Sequence, residues 1–415
     1  MCYHFIEHSF SRKMHKEVEN MTAADWQKHV DQEYMVNIRR ELHMYPELGW
    51  ELEKTSALVR RELDKIGIPY EADVYGRNSV VATIRGDITR FTIGIRADMD
   101  ALPIQEAPSD KPYRSKIDGV MHACGHDAHT AMLLGAAKAL WAIRENLNCR
   151  IKLIFQPSEE SKPSGAKTMC EHGVMKDIDR IIMCHVNCVD HTHVLSSCSG
   201  ITNATSCAFH INIRGKGVHV ASPHKGVDAL AIGIKIYMAL QMIISRELDP
   251  FDTCVLGVGK MNAGNTIAQV PEVCEMSGSM RCLKESTRDW MQERIKRLVK
   301  SIAEDMGGEA EAEFAADPLP PAYNDSEMYS WFVSSAKKVV GDDKVIVLEP
   351  SPGGEDFAYY EKEKPGLLFG LGMRNEEKGC TSGAHSALWD IDEDALQTGA
   401  KTFVQFVIDH MDKNP

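Results

Sequence analysis

The pattern of apolar and polar positions changes character several times along the chain, and each change predicts an element. From Ala23 to Tyr45 apolar residues return at helical spacing, as in Met35, Val36, Ile38 and Leu42, and Pro46 ends the run. A second helix fits Thr55 to Ile66, with Gly67 just past its end. Short strand-like runs follow at Ser79–Ile84 (SVVATI) and Phe91–Asp98 (FTIGIRAD). Ala128–Leu140 reads as a helix, Arg150–Gln156 (RIKLIFQ) as a strand closed by Pro157, and Arg180–His185 (RIIMCH) as a further short strand. Strands separated by helical segments are the signature of an α/β fold with a mostly parallel sheet.

Around Ser199–Ser206 the pattern shifts. A strand at Cys207–Gly215 leads through a glycine-rich turn to a long apolar helix, Val227–Arg246. Two strand-like stretches follow, then a helix from Thr287 to about Met306 and an alternating run at Glu309–Phe314. Strand, helix, strand, strand, helix, strand is the order of a ferredoxin-like α+β unit. The Pro-rich stretch Ala316–Asp325 reads as a linker, after which helix and strand alternate again. The expectation is an α/β domain in two parts, 22–204 and 318–415, with a smaller α+β domain, 205–317, inserted between them. The first ~20 residues carry no clear periodicity and are expected to be frayed or extended.

A chain of 415 residues is too long for one ordinary core, in agreement with two domains. The net charge of −13, from 60 acidic against 47 basic residues, argues against a general nucleic-acid binder, which must neutralise phosphates. No apolar run is read as long enough to cross a bilayer, and "MCYHFIEHSFSRK" lacks the form of a secretory signal. Twelve cysteines without regular spacing then point to reduced thiols in the cytoplasm, most of them small buried apolar residues.

In an open parallel sheet, ligands bind beyond the carboxyl ends of the strands. Asp98 follows the Phe91 run, Glu159 and Glu160 follow the Arg150 run in "QPSEE", and His185 closes the Arg180 run. "MHACGHDAHT" puts Cys124 and His126 at the start of a helix, and the loop after Gly366–Gly372 carries His385. Each loop alone is weak; their convergence on one sheet edge is the argument. Thiolate and imidazole bind Zn strongly, and carboxylates extend the range towards Mn or Co. Two ions about 3.5–4 Å apart need five or more protein groups. Cys124, His126, Glu160, His185 and His385 supply five, and Glu159, pointing elsewhere, is placed to act as a general base. Asp98 is either a ligand or a group that holds one in place. The ordinary alternatives are a buried structural cysteine, a solvated Glu pair and hydrogen-bonded core histidines; His43, His122 and His129 are read as structural, and Asp127 as the cap of the following helix.

These stretches resemble the M20 metallopeptidase family, in particular its amidohydrolase branch of N-acyl-amino-acid aminoacylases, hippurate hydrolases and auxin-conjugate hydrolases. The matching motifs are "RRELHMYPELGWEL" (Arg39–Leu52), "GIRADMDALPI" (Gly94–Ile104), "MHACGHDAHT", "FQPSEE", "RGKGVHVASPHKGVD" (Arg214–Asp228), "GGEDFAYY" (Gly353–Tyr360) and "GAHSALWDIDEDAL" (Gly383–Leu396), in family order. The resemblance implies hydrolysis of the amide bond of N-acyl amino acids by two divalent ions (Mn, Zn, Co or Ni). It implies Cys124, His126, Glu160, His185 and His385 as ligands, Glu159 as base and Asp98 as the residue that orients the site. It makes the inserted domain a lid and homodimerisation domain, whose His219 reaches an active site across the dimer and polarises the scissile carbonyl. Arg281 matches an arginine suited to the substrate carboxylate. Arg96 stands where other branches have a metal-binding His. Two departures are Val218 and Val220 in place of small residues, and Ala268 in place of a substrate-holding asparagine, which Asn265 or Asn262 can replace. Competing readings are a dipeptidase or carboxypeptidase of the same fold, a cysteine-nucleophile hydrolase using Cys124 and His126, and a non-catalytic binding protein.

Overall fold

The structure, a computed structural model, describes residues 26–413. The irregular start and the first residues of the Ala23–Tyr45 helix fall outside them. Within them the helix begins at Gln32 because the Asp31 side chain caps it, accepting the Tyr34 N–H. The chain divides into two compact units. The first comprises residues up to Gly200 with Asn324–Leu348 and Tyr359 onward; the second comprises Ile201–Tyr323 with Glu349–Ala358.

The main elements in chain order are α1 (Gln32–Met44), α2 (Glu53–Ile66), β1 (Tyr70–Ala72), β2 (Val80–Ile84), β3 (Thr92–Asp98), α3 (His126–Ala142), β4 (Arg150–Gln156), α4 (Gly165–Glu171), β5 (Arg180–His191) and β6 (Leu195–Ser197). The second unit follows with β7 (Cys207–Arg214), α5 (Ala229–Arg246), β8 (Cys254–Ala263), β9 (Val273–Cys282), α6 (Glu285–Asp305) and β10 (Glu309–Phe314). The first unit resumes with α7 (Ser326–Val340), β11 (Val345–Val347), β12 (Gly366–Arg374) and α8 (Leu396–His410).

The first unit is built on an eight-stranded sheet of order β1-β2-β4-β3-β5-β12-β6-β11. Its centre, β4-β3-β5-β12, is parallel. All seven residues of β3 are buried, the reading expected of a strand covered on both faces. The apolar α3 lies against β3, α1 and α8, and 14 of its residues are buried, so its sequence is apolar all round.

The second unit has the ferredoxin-like order. Its sheet, β8-β9-β7-β10, is antiparallel throughout. On β7 the buried residues are Cys207, Phe209, Ile211 and Ile213, every second position, and they form one core with α5 and α6. One expectation fails here. Helix α5 is long and apolar enough to cross a membrane by length and composition. It packs Ala229, Ile232, Gly233, Ile236, Leu240 and Ile243 into that core and leaves an apolar stripe exposed.

Candidate active site

Pairing of the central strands sets the level of the site. Asp98, the last residue of β3, stands opposite Gln156, the last of β4. On its other side β3 pairs with β5 as far as Arg96 and Met183, and continuing that register by two residues puts His185 level with Asp98. The strand does not end at His185 as expected. It runs on to His191 because β12 keeps pairing with it, Gly370 opposite His185. His185 therefore projects from a continuous strand just where its other neighbour stops.

Cys124 and His126 reach the same edge from the start of α3. Gly125 between them has φ 92, and a Cβ there would lie 2.3 Å from Val186 Cγ2, so glycine alone permits this approach. His385, with φ 63, arrives on the late loop and donates its backbone N–H to Ala123 O at 2.7 Å, which ties that loop to the Cys124 segment. Glu159 and Glu160 follow β4.

These residues form overlapping clusters whose ligand atoms all lie within 4.8 Å of one another: Cys124–His126–His185, Cys124–Glu160–His385 and His126–Glu159–Glu160. Cys124 Sγ is 3.6 Å from His185 Nε2, and His385 Nε2 is 3.1 Å from Glu160 Oε1. The donor set fits divalent cations. His126 is 1% exposed, yet among the described residues neither ring nitrogen has a hydrogen-bond partner; Asp100 Oδ1 and Asp98 Oδ2 approach only to 3.4 and 3.7 Å. Buried polar atoms left in that state are costly, and a cation satisfies them. His185 gives its Nδ1 proton to Val186 O at 2.8 Å, which leaves the Nε2 lone pair facing Cys124, the tautomer a metal ligand needs. Burial pushes the Cys124 thiol up, so on its own it stays protonated and is a poor nucleophile. A bound cation draws the proton off a coordinating thiol.

A layer of buried polar groups lies beneath the ligands. Asp98 takes hydrogen bonds from Arg96 Nη1 and His129 Nδ1, both at 2.6 Å. Burial pushes the Asp98 carboxyl up, but Arg96, His126 and His129 outweigh it and hold it well below the usual carboxylate range. Arg96 also donates to Gln156, at 2.8 Å. His129, read from the sequence as structural, is buried: its Nδ1–H goes to Asp98, and its Nε2 accepts the Val186 N–H at 2.9 Å. Burial lowers its pKa to about 4, so the ring is neutral. The helical spacing from His126 to His129 was the overlooked signal, since i and i+3 share a face.

Asp127 is not the cap of α3. Gly125 occupies the cap position, and Asp127 lies inside the first turn, where Arg39 Nε donates to it at 2.8 Å and His43 Nδ1 lies 2.7 Å away. His43 and His122, read from the sequence as structural, are buried, and neither is a member of the ligand clusters among the described residues. Asp100 was missed: its carboxylate accepts the backbone N–H groups of Glu159 and Glu160.

The other predicted residues stand in the second unit. His219 is exposed on a short ladder opposite Gln269, and its Nδ1 accepts the Ala221 N–H at 3.1 Å. Asn265 is exposed in the turn after β8. Arg281 is half-buried on β9, opposite Val255. Ala268 contributes its carbonyl to Val220 N–H, a backbone role that needs no asparagine.

Soft and hard donors gathered at a sheet edge beside a further carboxylate define the class, a metal-dependent hydrolase. The chain belongs to peptidase family M20/M25/M40, whose model matches residues 94–409. It is 38% identical over 371 residues to thermostable carboxypeptidase 2 of Saccharolobus solfataricus, covering 89% of this chain and 93% of that one. It is 37% identical over 382 residues to the IAA-amino acid hydrolase ILR1-like 2 of Arabidopsis thaliana, covering 91% and 85%. Among solved structures it superposes on the Bacillus subtilis YXEP protein, a dinuclear metal-binding peptidase of the M20 family, with TM-score 0.79 at 30% identity, covering 91% of this chain and 97% of that one.

Proposed function

We propose that this protein hydrolyses the amide bond of N-acyl amino acids, with Glu159 as general base. The observation that carries the reading is the division of the Glu159–Glu160 pair: Glu160 joins Cys124 and His385, while Glu159 shares a cluster with His126 and Glu160 but not with Cys124. Cys124, His126, Glu160, His185 and His385 would hold two divalent ions of the Mn, Zn, Co or Ni type, which would supply Lewis-acid polarisation of the scissile carbonyl and a lowered pKa of water. Glu159 takes a proton from the attacking water and returns it to the leaving amine nitrogen. Asp98 orients His126 through the buried layer. His219 donates to the developing oxyanion, Arg281 pairs with the substrate carboxylate, and Asn265 takes the place left by Ala268.

The protein is proposed to act as a homodimer through its second unit. On α5, Ile234, Met238 and Met242 are 52%, 61% and 58% exposed and recur every fourth residue as one apolar stripe. No disulfide is formed among the described residues, which fits a reducing cytoplasm.

A second reading, hydrolysis of a peptide bond by the same chemistry, is favoured by the likeness to the carboxypeptidase. Metal-reconstituted protein assayed on a panel of acyl-amino acids and dipeptides separates the two; a dipeptide preference favours the second. In the same assay Glu159→Gln is expected to keep its metal and lose ~10²–10⁴-fold in kcat, and Arg281→Met to act mainly on KM. Substantial turnover by the Glu159 variant defeats the assignment of the base.

A further inference from the structure

Asp100 has no role in the reaction as described so far. It is 1% exposed and lies two residues beyond Asp98. Its two carboxylate oxygens are used separately: Oδ1 accepts the Glu159 backbone N–H at 3.0 Å, and Oδ2 accepts the Glu160 N–H, also at 3.0 Å. The same Oδ1 is 3.4 Å from His126 Nδ1. Successive backbone N–H groups converging on one anion form a nest, and the anion fixes the direction of both peptide units at once.

The far side of this turn is closed by other means. Ser158, just before Glu159, is buried and has φ 56, in the left-handed region. Its hydroxyl contacts Ser161 Oγ and Pro163 O at 2.9 Å each, and its carbonyl accepts the Gly165 N–H at 2.8 Å. A Cβ at Gly165 would lie 1.7 Å from Pro157 O, so the loop folds back on itself without slack. Neighbouring side chains leave the backbone in different directions. Fixing the peptides of Glu159 and Glu160 therefore fixes which of the two glutamates beside His126 also joins Cys124 and His385.

We propose that Asp100 is the positioning residue of the Glu159–Glu160 pair: one buried carboxylate holds the backbone beneath both the base and the adjacent ligand, and sets their division of roles. This rests on the reading of Glu159 as base and Glu160 as ligand. Asp100 touches neither substrate nor the reacting atoms.

The test uses the full chain, metal-depleted and then titrated with Mn²⁺ alone by calorimetry, followed by kinetics at saturating Mn²⁺ on the best acyl-amino acid of the panel. Asp100→Asn keeps the shape but offers one acceptor oxygen and one NH2 group, so one backbone donor meets a donor. The expected result is a kcat lower by about 10–100-fold with KM within about threefold, and Mn²⁺ affinity weaker by about tenfold, the scale on which outer groups that orient ligands act. A merely structural role lowers the melting temperature of the metal-free protein but leaves kcat per folded, metal-loaded molecule and Mn²⁺ affinity unchanged; that outcome overturns the proposal. Should Asp100→Asn fail to fold, Asp100→Glu, which keeps the charge but displaces the oxygens by one methylene, is read in the same way and carries the same expectation. Glu159→Gln run in parallel separates the two levels. An active Glu159→Gln overturns the base and this inference together. An inactive one beside an Asp100 variant with wild-type kcat and metal affinity overturns this inference alone.

Discussion

The two units hold their functional residues in opposite ways. At the carboxyl edge of the first unit's sheet, most candidate ligands are backed by another buried group. His185 is fixed through its Nδ1 by Val186 O, His126 stacks on His129 at 5.4 Å, and Asp98 is clamped by Arg96 and His129. In the second unit His219 and Asn265 are exposed, and the Arg281 guanidinium reaches a backbone carbonyl, Met280 O, only at 3.3 Å. The difference fits the roles proposed for each. Ligands and base require a fixed geometry, because small displacements cost orders of magnitude in rate. Groups that meet a substrate gain their partners only when it arrives.

The most severe test of this contrast is Arg39. It is fully buried, and its guanidinium reaches Asp127 at 2.8 Å, Asp390 at 3.0 Å and Glu393 at 3.2 Å. Burial alone would lower its pKa, but Asp127, Asp390 and Glu393 outweigh it, so the group is charged. Arg39→Leu strands Asp127 beside His43 without its main cation, and a loss of about 3–5 kcal/mol in unfolding free energy is expected. Denaturant unfolding measures it. A loss below about 1 kcal/mol would mean that the first unit is less tightly determined than its contacts imply.

Next in size is His129. His129→Ala removes the donor to Asp98 and the acceptor of the Val186 N–H, one link to the floor under His126 and one to the peptide after His185. Metal affinity is expected to fall by about 10–100-fold. His129→Asn retains a donor near the Nδ1 position, and His129→Gln an acceptor near Nε2, so the pair apportions the loss between the two links. Calorimetric titration with Zn²⁺ or Mn²⁺ reads it, and unchanged affinity in all three would show that the ligands do not depend on their backing.

What could be read from the sequence follows the same division. That Asp98 and Glu160 come to one edge was legible because each follows an apolar run that turns polar, and the parallel order of the strands sends those points together; Cys124 was placed there by its position at the start of a helix. His185 was placed at the edge for an incomplete reason: the run was read as ending there, but "VNCVDH" continues as strand because a partner 185 residues downstream of His185 covers it, and local pattern carries no trace of that partner. Asp127 was misread because an acid at a helix start has a local explanation, the cap, whereas its cation, Arg39, is 88 residues away. His129 and Asp100 failed differently. Their spacing, i+3 from His126 and i+2 from Asp98, was visible, but Asp100 holds two backbone N–H groups and His129 one besides Asp98, and an N–H looks alike at every residue. Ligand identity is written in side-chain type; ligand support is written in tertiary contacts.

The smallest expected effect lies at the exposed end of the contrast. Met238 on α5 is 61% exposed at the centre of the apolar stripe with Ile234 and Met242. Surface substitutions away from caps and buried networks change stability by less than about 0.5 kcal/mol, so Met238→Glu is expected to leave the unfolding free energy extrapolated to the monomer nearly unaltered. A charge in the middle of the stripe disfavours a self-complementary contact, because a twofold axis brings each patch against its own copy. Sedimentation velocity is therefore expected to show the variant shifted towards monomer at concentrations where the parent is dimeric. A monomeric parent, or a variant that dimerises as well as the parent, would remove the stripe from the interface. A stability loss of several kcal/mol would instead place α5 with the tightly held elements and erase the contrast between the two units.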